Sequence, residues 1–136
     1  MVSWNNLDTL SSYKELADVK PACLTEVMSG DNGAERVKNY SIPMATGLSY
    51  NYASKQVDEN VLAALEKLAD EAQLADKFKA LYNGEVVNTG EKRLVLHHMT
   101  RGQLGDAVEA DGVDKRTFYK TQQERIAEFA NKVHNL

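Results

Sequence analysis

Apolar residues along this chain fall into short helical runs, broken by glycine, proline and Asx residues. Leu7, Leu10, Tyr13 and Ala17 recur at spacings of three and four, which predicts an amphipathic helix that stops by Pro21, where the chain lacks an amide proton. "ACLTEVMSG" reads as a short turn closing at Gly30, "GDNG" as a loop from its glycines and Asx content, and Arg36 to Tyr40 as a further turn. In "MATGLSYNY", Met44, Thr46, Leu48, Tyr50 and Tyr52 alternate with small or polar residues, the pattern of a half-buried strand and the one strand the pattern predicts. A lone strand leaves its edges unpaired, so a partner is required.

The second half is more regular. Asp58 suits an N-cap, Glu59 suits the first turn, and Val61, Leu65, Leu68 and Ala72 share one helical face. Leu74 to Tyr82, with Phe78 and Leu81 three apart, predicts another helix, ended by Asn83 and Gly84. "EVVN" is an extended connection, and from Asp114 a last helix carries Phe118, Gln122, Ile126, Phe129 and Val133 as one stripe. "EADGVD" lacks the alternating oxygen donors and the terminal glutamate of an EF-hand calcium loop and reads as a turn. Tyr50 and Tyr52 read as sheet packing.

Composition narrows the class. The 136 residues, with 43% hydrophobic and 26% charged, suit one ordinary globular domain with a real core. Two prolines, no repeat and no low-complexity tract mark no linker, so residues 1–136 are expected to form a single, mostly helical domain. A net charge of -4 offers no concentrated basic face, so no nucleic acid is expected as a partner. No run of roughly eighteen apolar residues and no basic-plus-apolar leader is present, so no membrane partner is expected and the expected location is cytoplasmic. Cys23 is the single cysteine; it can form neither an internal disulfide nor a thiolate cluster.

The stretch with chemical promise is "GEKRLVLHHMTRG", residues 90 to 102. Leu94, Val95, Leu96 and Met99 fit a buried strand or a helix face equally by period, but Glu91 early, Arg101 late and Gly102 after them favour a helix. On a helix Arg93, His97 and Arg101 share a face and His98 points about 100° away. Two histidines on one helix reach one metal ion when three or four apart, so the adjacent pair argues against a metal site. No serine, cysteine or carboxylate is placed to form a nucleophile with an orienting partner. What remains is a hydrogen-bonded His97 at an internal interface, with the arginines paired to carboxylates.

From Tyr52 the sequence carries a longer pattern. "YASKQVDENVLAALEKLADEAQLADKFKALYNGEVVNTGEKRLVLHHMTR" resembles the N-terminal region of the glucose-6-phosphate isomerase family. That family shows Y-S-K-N-x-[IV], then a capped helix with L-x-x-L-x-x-L-A, then G-E-x-[IV]-N-x-T-E-x-R-x-V-L-H-x-x-L-R. The match uses Tyr52, Val57, Leu62, Leu65, Leu68, Ala69, Leu74, Gly84, Glu85, Val87, Asn88, Glu91, Arg93, Val95, Leu96, His97 and Arg101. "AERVKNYS" upstream is similar to R-F-x-x-[FY]-S, and the segment from Glu109 is similar to the family's V-D-G-x-D-V helix. The chain departs from the family at Ala53-Ser54-Lys55, at Gly90, at Thr100 and after Arg101, where "GQLGDAV" replaces N-R-S-N-T-P.

The resemblance implies a mainly α chain with a minor β element, forming the helical N-terminal layer of an α/β sugar-isomerase fold. It implies a parent that interconverts glucose 6-phosphate and fructose 6-phosphate by acid/base chemistry with no metal or organic cofactor. The family's catalytic groups lie beyond the matched region, so no catalytic residue is expected here, and Arg93, His97 and Arg101 are expected to be structural. Expected partners are the missing C-terminal sugar-isomerase domains and, for the full enzyme, a second copy in a homodimer. Two other readings stand beside it: a stand-alone helical interaction module whose Arg93, His97 and Arg101 face binds an acidic partner, and a regulatory domain that binds sugar phosphate without turnover.

Overall fold

The computed structural model describes residues 2–102 and 105–135. The described residues are mainly α, with three small antiparallel two-stranded sheets among them. It divides into two compact units, Asn5–Ala72 and Met1–Trp4 with Gln73–Leu136.

In the unit of Asn5–Ala72, a 3₁₀ turn at Leu7–Thr9 precedes α1 (Ser11–Asp18), which ends before Pro21 as expected. A single turn, α2 (Leu24–Val27), leads into α3 (Gly30–Asn39). Here the expected "GDNG" loop is corrected, because that stretch is the first turn of α3. Asp31 at its start and Arg36 and Lys38 at its end complement the helix dipole. Gly33 lets the helix approach the preceding turn, since a Cβ there would lie 2.4 Å from the Met28 carbonyl oxygen.

The single strand expected over residues 44–52 is a hairpin instead. Strand β1 (Ser41–Pro43) pairs with β2 (Ser49–Asn51), with Ile42 opposite Tyr50. The alternation is interrupted by a reversal at Thr46 and Gly47, both at positive φ, which Gly47 accepts without steric cost. Tyr50 and Tyr52 stack with ring centroids 6.1 Å apart, the packing expected of them.

Helix α4 (Glu59–Glu71) begins as the sequence predicts. The Asp58 side chain accepts from the amides of Asn60 and Val61 at 3.0 and 2.9 Å. Ala64 is its buried position and the C-cap Ala72 is buried as well, with Val61 and Leu68 half-buried. Leu65 turns instead toward an apolar groove of about 200 Å³ lined by Ile42, Tyr50, Tyr52, Val57 and Leu62.

The other unit starts with α5 (Leu74–Tyr82), whose bounds coincide with the predicted ones. "EVVN" becomes β3 (Val86–Asn88), paired with β4 (Arg93–Leu94). A second hairpin joins β5 (Glu109–Ala110) to β6 (Val113–Asp114) through Asp111 and Gly112. It delivers the chain into α6 (Lys115–His134), where the Asp114 carboxylate accepts from the amides of Arg116 and Thr117. The local core is Leu96, Val108 and the fully buried Met99, with Leu94 and Tyr119 packed against it. The long stripe on α6 is exposed: Ile126 and Phe129 keep 67% and 69% of their surface.

Candidate functional site

The predicted helix over residues 91–101 is not formed, so Arg93, His97 and Arg101 do not share a helical face. Arg93 lies in β4, and His97 and Arg101 lie in a 3₁₀ helix, His97–Arg101. The run Leu94–Leu96 begins extended because Val86 pairs with Leu94. The loop before it is held by Asn88, whose Oδ1 accepts from the Glu91 amide at 3.1 Å and whose Nδ2 donates to Glu91 Oε2 at 3.2 Å. Winding begins only after Leu96. With three residues per turn, Leu96 and Met99 eclipse and both are buried in the core.

Arg93 and His97 are exposed, and so is Arg101. Arg93 pairs weakly with Glu91 at 4.0 Å and lines a shallow hollow with Lys92, Lys115, Glu109 and Asp111. Charges of both signs face that hollow, and the Glu109 and Asp111 carboxylates offset most of the attraction its three cations would exert on an anion. The packed histidine is His98. Its ring stacks on Tyr82 with centroids 4.7 Å apart, and its Nε2 lies 3.1 Å from the Tyr82 carbonyl oxygen. A carbonyl only accepts, so Nε2 carries the proton and donates.

Arg116 reaches the same carbonyl from α6. Its Nη2 donates to the Tyr82 oxygen at 2.9 Å, its Nε donates to the Asp106 carbonyl, and its guanidinium carbon lies 5.2 Å from the Tyr82 ring centroid. The Tyr82 oxygen lies at the C-terminal end of α5, where the helix dipole favours positive charge. Arg116 Nη1 and His98 Nδ1 are buried without a hydrogen-bond partner among the described residues. Gly105 makes room for this arrangement, since a Cβ there would lie 2.8 Å from Arg116 Nη2.

The unit of Asn5–Ala72 contains a cluster of the same kind. Arg36, on α3, donates to the carbonyls of Ala53, Lys55 and Val57 at 2.8, 3.0 and 2.6 Å and lies 3.9 Å from the Tyr40 ring centroid. The Tyr40 hydroxyl donates to Glu59 Oε1 at 2.8 Å. That bond holds the Tyr40 phenol above its ordinary pKa and the Glu59 carboxyl below its own. Both arginines thus bind main-chain carbonyls and a tyrosine face, an arrangement that ties loops to helices and leaves no charged group poised for proton transfer. Among the described residues, no three His, Cys, Asp or Glu side chains gather to hold a metal ion.

Sequence reasoning missed Arg36 and Arg116, because their partners are carbonyls and any residue supplies one. A weak signal exists for Arg116, a cation in the first turn of a helix, where the dipole disfavours it.

Comparison with known proteins places this architecture. The Phosphoglucose isomerase family model matches residues 51–135. The chain is 42% identical over 98% of its length to the glucose-6-phosphate isomerase of Treponema denticola. It is 41% identical over 99% of its length to that of Borreliella afzelii and 42% identical over 98% to that of Treponema pallidum. It spans only 26%, 25% and 26% of those proteins, respectively. With nearly all of its residues aligned at this identity and the family model matching more than half of them, the chain belongs to the phosphoglucose isomerase family.

Proposed function

We propose that this chain is the N-terminal quarter of a glucose-6-phosphate isomerase, whose whole interconverts glucose 6-phosphate and fructose 6-phosphate. The observation that carries the reading is identity near 40% along almost the entire chain to isomerases about four times its length. In the whole enzyme the proton moves between adjacent sugar carbons by general acid/base catalysis through a cis-enediol, with no metal or organic cofactor. The groups that perform this step lie outside the chain, and Arg93, His97 and Arg101 hold the helical layer against the rest of the protein. The remaining sugar-isomerase domains are its first partner, and a second copy completes a cytoplasmic homodimer.

Two features of the surface support the reading. The apolar stripe of α6 lies open at Phe118, Ile126, Phe129 and Val133, a face suited to burial against further protein. His97 and Arg101 are also exposed, available to segments that follow.

A chimera tests it. This chain replaces the matching quarter of the Treponema denticola isomerase, and sugar-phosphate interconversion is followed by a coupled assay. The chimera is expected to be active and the isolated chain inactive. Turnover by the isolated chain, or a folded chimera without activity, would refute the proposal.

A further inference from the structure

The sequence contains three Asx–Gly pairs, Asn32–Gly33, Asn83–Gly84 and Asp111–Gly112. Glycine after an Asx residue leaves its amide nitrogen unhindered, so that nitrogen can attack the Asx side-chain carbonyl carbon and close a five-membered succinimide. In flexible peptides the two asparagine pairs react first, because ammonia leaves more readily than the oxygen of a carboxylate. The fold treats the three pairs differently.

Asn32 and Gly33 lie inside α3, and Gly33 is buried against the Met28 carbonyl, so closing the ring there requires the helix to open. At Asn83–Gly84, the Gly84 amide donates to the Leu81 carbonyl at 3.1 Å. Gly84 is also pressed against Val108, with a hypothetical Cβ only 2.2 Å from a Val108 methyl. Its nitrogen is therefore engaged and cannot swing toward the asparagine. Asp111 and Gly112 form the tip of the β5–β6 hairpin, both exposed and both at positive φ, with nothing within 4 Å of a Cβ built on Gly112. Among the described residues the Gly112 amide makes no hydrogen bond. The strands holding this tip are two residues each, and the Asp111 carboxylate is tied only by a 3.2 Å ion pair to Lys115 on its solvent-exposed side, a weak restraint on local opening.

We propose that Asp111–Gly112 is the isoaspartate-forming site of the folded chain. The Gly112 nitrogen bonds to Asp111 Cγ and loses its proton; a carboxylate oxygen, joined by that proton and one from solvent, leaves as water. Water then adds to either imide carbonyl. Addition at the former main-chain carbonyl breaks its bond to the Gly112 nitrogen and leaves the peptide running through Cβ and Cγ, with no change in mass or net charge. The extra main-chain methylene disturbs the pairing of Ala110 with Val113 and of Glu109 with Asp114, and so the residue that caps α6.

The test ages the chain in warm, mildly acidic to neutral buffer, folded and in guanidinium. Isoaspartate is methylated enzymatically and located by peptide fragmentation. In the folded chain the product is expected at Asp111 and in excess of any product at Asn32 or Asn83; in guanidinium the asparagine sites dominate. Asp111→Glu, which keeps the negative charge but would have to close a larger ring, abolishes the folded-state product. Equal or greater conversion at Asn83 or Asn32 in the folded chain would overturn the proposal, as would an Asp111 that stays unmodified while the denatured chain converts.

Discussion

Glu71, in the last turn of α4, accepts both the amide and the hydroxyl of Ser12, in the first turn of α1. Its other carboxylate oxygen accepts from the Ser11 amide and hydroxyl at 3.3 and 3.0 Å. Helix α1 has no side-chain cap of its own, since Leu10 occupies that position. A carboxylate from another helix therefore caps it, where the dipole of α1 favours negative charge. The hydrogen bonds from Ser12, then those from Ser11, pull the Glu71 carboxyl from its ordinary 4.5 down to about 2. A depressed folded-state value means a contribution fully present above the ordinary 4.5 and lost as pH falls through about 2. Glu71→Gln is thus expected to lower stability at neutral pH. The difference from the parent chain should shrink steadily between those two values, as followed by urea titrations at a series of pH values. A difference independent of pH would show that the caps do not depend on charge.

Arg36 should be among the least replaceable residues of its unit. It is 7% exposed and satisfies three main-chain carbonyls that no other described donor reaches. Arg36→Met leaves those acceptors without their donor and is expected to cost about 3 kcal/mol. Arg36→Lys keeps the charge but not the planar fork and should recover less than half of that loss. Denaturant midpoints of the two variants would check both values. A lysine variant as stable as the parent would mean that charge alone suffices.

Gly105 and Gly112 separate conformational cost from steric cost. Both have positive φ, at +94° and +71°, but a Cβ on Gly112 meets open space whereas one on Gly105 meets the Arg116 guanidinium. Gly112→Ala is expected to cost about 1 kcal/mol for the left-handed backbone alone. Gly105→Ala adds displacement of Arg116 from the Tyr82 carbonyl and should cost about 3 kcal/mol in all. Hydrogen exchange at the start of α6 should accelerate only in the Gly105 variant.

The helices were legible wherever a side chain punctuates them. Asp58 marks the start of α4 and Asn83–Gly84 the end of α5, and both bounds fall where those residues place them. The hairpins were not legible, because strands of two or three residues are shorter than any period that could reveal them. The apolar run Leu94–Leu96 illustrates the loss: charge order along 91–101 favoured a helix, but pairing with Val86 took the first part of it. "GDNG" failed differently, since its loop-like composition was overridden by the dipole-matched charges of α3 and the close fit of Gly33. In the stretch with two histidines, the sequence drew attention to His97, whereas the three-residue winding after Leu96 turns His98 inward.

His98 offers a direct check on that winding. Its Nε2 faces the Tyr82 carbonyl at 3.1 Å, and its Nδ1 is buried without a partner among the described residues. The hydrogen bond selects the Nε2-protonated tautomer, because the other would set a lone pair against the carbonyl oxygen. His97 is exposed, and nothing of this kind fixes its tautomer. Long-range nitrogen–proton correlation spectra at neutral pH are therefore expected to show His98 locked as the Nε2 tautomer and His97 averaging between forms in solvent. His98→Phe preserves the stack on Tyr82 but removes the donor, leaving Arg116 alone on the carbonyl, and is expected to cost about 1 kcal/mol. Finding His98 with its proton on Nδ1 would mean that the 3₁₀ winding places the ring the other way round, and the shared Tyr82 carbonyl could not then join α5, the 3₁₀ helix and α6 as described.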